Sequence, residues 1–169
     1  MAFLYLWSKY TKMRISLICI GKTDRTEIKN LISYYLQRLP KHLNFEIVEI
    51  PDIKNAKNLP LQQIKNEEAK LFLQKIGTTD TVILLDENGK QLTSRELAHQ
   101  LDHYMNISTK HLVFLVGGAY GFSEEIYQKF PKKISLSKMT FTHQMVRLFL
   151  VEQIYRAYSI LEGKPYHND

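Results

Sequence analysis

The chain has 169 residues and a mass of 19.9 kDa, a length that suits one domain around one core. Hydrophobic residues make up 44% and charged residues 24%, ordinary globular composition that argues against a disordered chain. The net charge of +6 and pI of about 9.3 permit a polyanionic partner such as RNA, although a merely soluble basic protein would look the same.

No apolar run approaches the roughly 20 residues of a membrane span, so no membrane association is expected. The opening Met1 to Trp7 is apolar but short. It lacks both the charged start and the small-residue cleavage site of a secretory signal. Met13-Arg14-Ile15 reads as a second, natural start. Residues 1–12 are therefore read as an extension outside the fold, and 13–169 as a single domain. The lone cysteine, Cys19, excludes an internal disulfide and fits a reducing, cytoplasmic setting. Its apolar neighbours mark it as a small buried hydrophobe, not a nucleophile.

Met13 to Ile20 reads as a continuous apolar strand, suited to a sheet covered on both faces. Asp24 followed by Glu27 resembles a capping box, and the helix it opens runs to about Arg38, before Pro40. Phe45 to Ile50 is a second strand. Residues 52–59 are polar and lysine-rich, a surface connector in the plainer reading and a lid or RNA contact in the sharper one. Leu61 to Ile76 is a helix with Gly77 as its stop. Thr81 to Leu85 is a third strand, followed by a turn at 86–90. Thr93 and Glu96 form a second capping box, opening a helix that reaches about Met105. Leu112 to Val116 is a strand that ends in Gly117-Gly118-Ala119-Tyr120-Gly121. A helix over 123–130, a short strand over 134–136 and a long helix from Thr142 to Leu161 complete the pattern. Strands and helices alternate throughout, which predicts a parallel α/β sheet with helices on both faces.

The stretch from His111 to Arg147 carries the chemistry. Strand, glycine turn, helix, strand, tight loop, helix is a recipe for a ligand cleft at the carboxyl ends of strands. Glycines let a backbone lie against a ligand where a Cβ would collide. The order Gly117-Gly118-x-x-Gly121 is not the dinucleotide fingerprint, and Gly89-Lys90 lacks the glycine loop of a phosphate-binding turn. Alone, the glycine triplet is explained as well by a tight turn as by a ligand. His99 and His103 have metal-compatible spacing, but no glutamate sits between them and no third ligand is apparent, so no metal is expected. No nucleophile elbow of the serine hydrolases occurs. On the last helix Glu152 and Arg156 are spaced to pair with each other. Arg156 sits among apolar and tyrosine positions and needs an anionic partner, within the chain or in RNA.

The ordered set of motifs is more specific than its parts. Leu85-Asp86 with Gly89-Lys90 comes first, then Val116-Gly117-Gly118-x-x-Gly121. Leu136-Ser137-Lys138-Met139-Thr140-Phe141-x-His143-x-x-x-Arg147 follows. Glu152-x-x-Tyr155-Arg156-Ala157 and Pro165-Tyr166-His167 close the series. This set resembles the RlmH type of SPOUT methyltransferase, bacterial enzymes that methylate N3 of a pseudouridine in large-subunit ribosomal RNA. The likeness runs from Met13 to the C-terminus. It departs from the pattern in residues 1–12, which have no counterpart, and at Thr142, where a proline often precedes the histidine.

The resemblance implies an α/β knot, with the C-terminal segment threaded through a loop into a trefoil. It implies a homodimer acting on 23S rRNA in the ribosome or large subunit, and S-adenosyl-L-methionine (AdoMet) as methyl donor. Cofactor contacts would fall on Leu85, Gly117, Leu136, Ser137, Lys138, Met139, Thr140 and Phe141. Arg156, Tyr166 and His167 would be catalytic, reaching the cofactor from the partner subunit. Arg156 would stabilise an anion or hold phosphate, His167 would take a proton, and Tyr166 would stack on or hydrogen-bond to the target base. Two alternatives stay open: a SPOUT enzyme for another RNA, or a non-catalytic RNA-binding factor on the same fold.

Overall fold

A computed structural model describes residues 13–166. Residues 1–12 lie outside the described part, and so does His167. The elements run β1 (Arg14–Ile20), α1 (Thr26–Leu36), β2 (Asn44–Ile50), a short 3-10 turn (Ala56–Asn58), α2 (Leu61–Leu73), β3 (Thr81–Gln91), α3 (Ser94–Asn106), β4 (His111–Val116), α4 (Glu124–Lys129), β5 (Lys133–Ser135) and α5 (His143–Leu161).

The strands form one five-stranded sheet in the order β2-β1-β4-β3-β5, every pair parallel. The central strands β1 and β4 explain why their sequences carry almost no polar residue. Side chains alternate between faces along a strand. Ile15, Leu17 and Cys19 of β1 join Leu112, Phe114 and Val116 of β4 in one core, with buried residues of α1, α3 and α5. Ile18 and Ile20 join Val113 and Leu115 in the second core, under α2 and α4. The sheet is therefore covered on both faces, as its unbroken apolar runs require.

Local signals explain most boundaries. At α3 the Thr93 hydroxyl accepts from the Glu96 amide at 3.1 Å, and the Glu96 carboxylate accepts from the Thr93 amide at 2.7 Å. The expected box at Asp24 and Glu27 does not form: α1 is capped by Arg25 with no side-chain bond. Asp24 turns away to accept from the Gln144 amide, so a tertiary contact to α5 outcompetes the local cap. Helix α2 ends at Leu73, short of Gly77, whose amide donates to the Asp80 carboxylate at 2.8 Å and starts the turn into β3. Gly163 follows α5 with φ of +66°, the left-handed conformation glycine adopts most cheaply at a helix end.

The largest departure from the sequence reading is in β3. The expected strand stops at Leu85, whereas the extended backbone continues to Gln91 through an irregularity. On β5, Ile134 pairs with Leu85 on one side of this irregularity and with Lys90 on the other. Gly89 permits the approach: a Cβ there would lie 2.7 Å from the backbone nitrogen and Cα of Ile134. The turn signals Asn88-Gly89 were visible in the sequence, but the strand that packs into the turn comes 45 residues later and was not.

Candidate functional site

The three neighbouring strands β4, β3 and β5 end side by side. Their carboxyl ends carry the Gly117–Gly121 turn, the Leu85–Lys90 segment and the Leu136–Phe141 loop. The fold thus gathers Leu85, Gly117, Leu136, Ser137, Lys138, Met139, Thr140 and Phe141 at one end of the sheet.

Each segment is held from within the chain. In the glycine turn the Gly121 amide donates to the Gly118 carbonyl at 3.2 Å, and Gly121 takes a φ of +73°. A Cβ on Gly117 would press on the Gly121 backbone at 3.2 Å, so a side chain there would have to shift the turn by a few tenths of an ångström. Within β3, past Leu85, the Asp86 carboxylate accepts from the Asn88 amide at 2.9 Å and from the Tyr127 hydroxyl at 2.6 Å. That second bond ties α4 to the Leu85–Lys90 segment. Burial, then the Asp86 bond and charge, push the Tyr127 hydroxyl up to about 12, so it remains a donor at physiological pH. After β5, the Ser135 hydroxyl donates to the Ser137 carbonyl at 2.7 Å, and the Ser137 hydroxyl accepts from the Met139 amide at 3.0 Å. The loop is therefore shaped by its own serines.

The surface these segments present is mixed. Leu85 and Leu136 are half-buried, Met139 is 73% exposed and Phe141 39%, with the Phe141 ring edge-on to Phe149 at 4.9 Å. Exposed apolar side chains of this size, next to glycine backbone and a polar loop main chain, suit an organic ligand with a planar apolar part and polar edges. Lys138 projects from the same loop into solvent.

The first turn of α5 adjoins this end of the sheet. Thr142 caps the helix, its hydroxyl accepting from the Met145 amide. Burial and the nearby Arg147 charge hold His143 below the usual histidine range, favouring the neutral ring. Arg147 is fully buried and was not singled out as a core residue by its sequence context. Its guanidinium donates to the Thr23 hydroxyl at 2.8 Å and to the Ile20 carbonyl at 2.6 Å, with Glu49 at 3.6 Å.

Of the expected catalytic residues, Arg156 and Tyr166 form a separate cluster. Arg156 donates to Glu152 through Nη2 at 2.6 Å and Nε at 3.0 Å. The Tyr166 hydroxyl donates to the same Glu152 oxygen at 3.1 Å, and the Arg156 guanidinium lies 4.8 Å from the Tyr166 ring centroid. Tyr155 packs edge-on to Tyr166 at 4.6 Å and faces Tyr35 at 5.8 Å. Burial, a bond with Tyr35 and the Glu152 charge raise the Tyr166 hydroxyl above its ordinary range. The anionic partner demanded by Arg156 is thus Glu152, one helical turn away. This cluster is not at the loop in the same chain. Thirteen residues of helix separate Arg156 from His143, about 20 Å at the α-helical rise. His99 and His103 are exposed, and among the described residues no group of three His, Cys, Asp or Glu could hold a metal ion. No helix among them is long and apolar enough to cross a membrane.

Comparison with known proteins agrees with this geometry. The family model described as "Predicted SPOUT methyltransferase" matches residues 13–167. A protein of Christiangramia forsetii named ribosomal RNA large subunit methyltransferase H is 51% identical over 156 residues, covering 92% of this chain and 99% of the relative. Proteins with the same name from Flavobacterium johnsoniae and Parabacteroides distasonis are 52% and 50% identical, over 92% and 93% of this chain and 99% and 100% of their own lengths. The crystal structure of a methylase family protein from Neisseria gonorrhoeae superposes with a TM-score of 0.51, covering 95% of this chain and 88% of that one. Its sequence identity is only 12%, so that likeness concerns the fold alone. A family match over residues 13–167 and half-identical relatives over more than nine-tenths of the chain place it in the SPOUT methyltransferase family.

Proposed function

We propose that this protein is an AdoMet-dependent methyltransferase that methylates N3 of a pseudouridine in 23S ribosomal RNA, working in the cytoplasm as a homodimer on the assembled ribosome or large subunit. The observation that carries the reading is the convergence of Leu85, the Gly117–Gly121 turn and the 136–141 loop at adjacent strand ends. It is joined by the roughly half-identical relatives named as large-subunit rRNA methyltransferases.

The residues present fit AdoMet. Leu85, Leu136 and the exposed Met139 and Phe141 offer apolar surface for an adenine. Gly117, with no Cβ, lets main chain approach the ribose, and amides and carbonyls of Ser137, Lys138 and Thr140 can read polar edges. The C-terminal knot is carried over with the family match across residues 13–167.

When bound, AdoMet supplies a methyl group already activated on a sulfonium. What remains for the protein is to position the target, exclude water and manage one proton. The imide N3–H of the target must lose its proton as nitrogen takes the methyl, so a base or a cation beside the developing anion lowers the barrier. Arg156 stabilises that anion, His167 accepts the proton, and Tyr166 stacks on or bonds to the base. In a single chain Arg156 lies about 20 Å along α5 from the loop, so the partner subunit delivers this cluster across the dimer. Lys138 and the net positive charge favour approach to phosphate.

The test is methyl transfer from labelled AdoMet to ribosomes from a strain lacking the modification, with the label mapped by nuclease digestion and mass spectrometry. Label at N3 of one 23S rRNA pseudouridine is expected, and a short naked hairpin should be a poor substrate. Label on another RNA would replace the substrate assignment, and no label would leave a binding factor.

A further inference from the structure

Helix α2 carries a residue that its amphipathic pattern does not call for. Its other buried positions are Ile64, Ala69 and Phe72, yet Glu68 lies among them at 7% exposure. Burying a carboxylate is costly unless its oxygens are bonded. Glu68 stands in the middle of α2, so it caps no helix of its own. We propose that Glu68 is a positioning residue for the cofactor: its buried carboxylate is seated against Gly118 and thereby sets the glycine turn whose backbone faces the ligand.

The contact is direct and specific to glycine. The Glu68 carboxyl group lies against Gly118, whose amide favours its ionised form. The carboxyl group fills the space that a side chain at 118 would need: a Cβ there would stand 2.8 Å from Oε2 and 2.9 Å from the carboxyl carbon. Within the turn the only other tie at Gly118 is the 3.2 Å bond to Gly121. Gly117 in turn rests on Gly121, so a shift at Gly118 moves the position assigned to the ribose. Glu68 thus acts on the ligand through backbone.

A second acid repeats the arrangement next door. At the end of β1, which pairs with β4, the Asp52 carboxylate lies against Gly21, 2.9 Å from where a Cβ would be. Asp52 is close enough to Glu68 to raise its pKa, in addition to the larger effect of burial, while the Gly118 amide and Lys65 oppose the rise. Two adjacent strand ends therefore each have a carboxylate seated on a glycine. Only the one at Gly118 grips a turn of the proposed ligand site.

The inference rests on the reading that this turn holds AdoMet, and calorimetry can separate the two. S-adenosylhomocysteine would be titrated into the folded wild-type protein, E68M and E68Q, with melting temperatures recorded alongside. E68M keeps the length and packing but has no polar group to set against Gly118, and its affinity is expected to fall about tenfold. E68Q keeps an oxygen against Gly118 and should stay within about threefold of wild type. With AdoMet and ribosomes, KM for AdoMet should rise in E68M while kcat at saturation stays close to wild type. Folded E68M with wild-type affinity would overturn the role of Glu68 alone, and so would E68Q as weak as E68M. Absence of binding by the wild type would overturn the cofactor reading and this inference with it.

Discussion

The Arg147 guanidinium donates to the main-chain carbonyl of Ile20 at 2.6 Å, joining the second turn of α5 to the last residue of β1. The same group reaches the Thr23 hydroxyl and Glu49, and Glu49 also accepts from the Thr23 amide at 2.8 Å. Removing a fully buried cation leaves its former partners without hydration as well as without their bond. Arg147→Ala should therefore lower unfolding free energy by about 3 kcal/mol, and Arg147→Lys by a similar amount, since an ammonium cannot reproduce the fork. Urea denaturation checks this; a loss under about 1 kcal/mol would mean the network adds little beyond a surface pair.

Gly89 should be intolerant of any side chain. Its neighbours are backbone atoms of Ile134, which cannot swing aside as a flexible side chain would. Gly89→Ala must push β5 off β3, and a loss of about 3 kcal/mol is expected from such overpacking. Gly163 is the contrast. It has open space around it but a φ of +66°, so Gly163→Ala should cost only about 1 kcal/mol. Equal losses at the two positions would contradict the packing argument.

Much of this arrangement was legible from residue order. The apolar runs of β1 and β4 announced a sheet covered on both faces, and Thr93 with Glu96 announced the start of α3. These signals are local, and nothing distant overrides them. Asp24 with Glu27 looked equally good and failed, because Gln144 on α5, 120 residues away, takes the Asp24 carboxylate. Arg147 read as one of several charged residues on α5; its burial depends on Ile20 and Thr23, more than 120 positions earlier. The pairing of Glu152 with Arg156 follows from helical spacing, but the return of Tyr166 onto that pair depends on the path of the chain after Gly163. The gathering of the three loops at one sheet end followed from the motif order only through the family likeness, since strand order cannot be read from periodicity.

The separation of the Arg156–Tyr166 cluster from the 136–141 loop predicts shared sites. Removing residues 165–169 should abolish turnover and leave S-adenosylhomocysteine affinity unchanged, because the loops are untouched. Gly117→Val should do the reverse, blocking the ligand while leaving the tail intact. In a dimer denatured, mixed and refolded from equal amounts of the two variants, half of the molecules pair one chain of each kind. Each such pair has one complete site, so about a quarter of wild-type activity should return. No recovery in verified mixed dimers would place the tail and the loop of one site in the same subunit.

Cys19 gives a prediction at alkaline pH. The thiol is fully buried, and burial pushes it from 9.0 up to about 11, with the Arg147 charge working against the rise and Glu49 adding to it. The folded state thus disfavours the thiolate relative to the unfolded chain. The sign follows: the contribution is fully present below pH 9 and is lost as pH rises from 9 to 11. Over that span it amounts to about 2–3 kcal/mol. Stability measured by urea denaturation should be flat in this respect from pH 7 to 8.5 and then fall, and Cys19→Ala should flatten the fall despite its own lower starting stability. In the native protein at pH 8, Cys19 should react with a thiol reagent only at the rate of unfolding, because access and thiolate are both lacking. Rapid labelling of fully folded protein would show that the core around β1 opens locally.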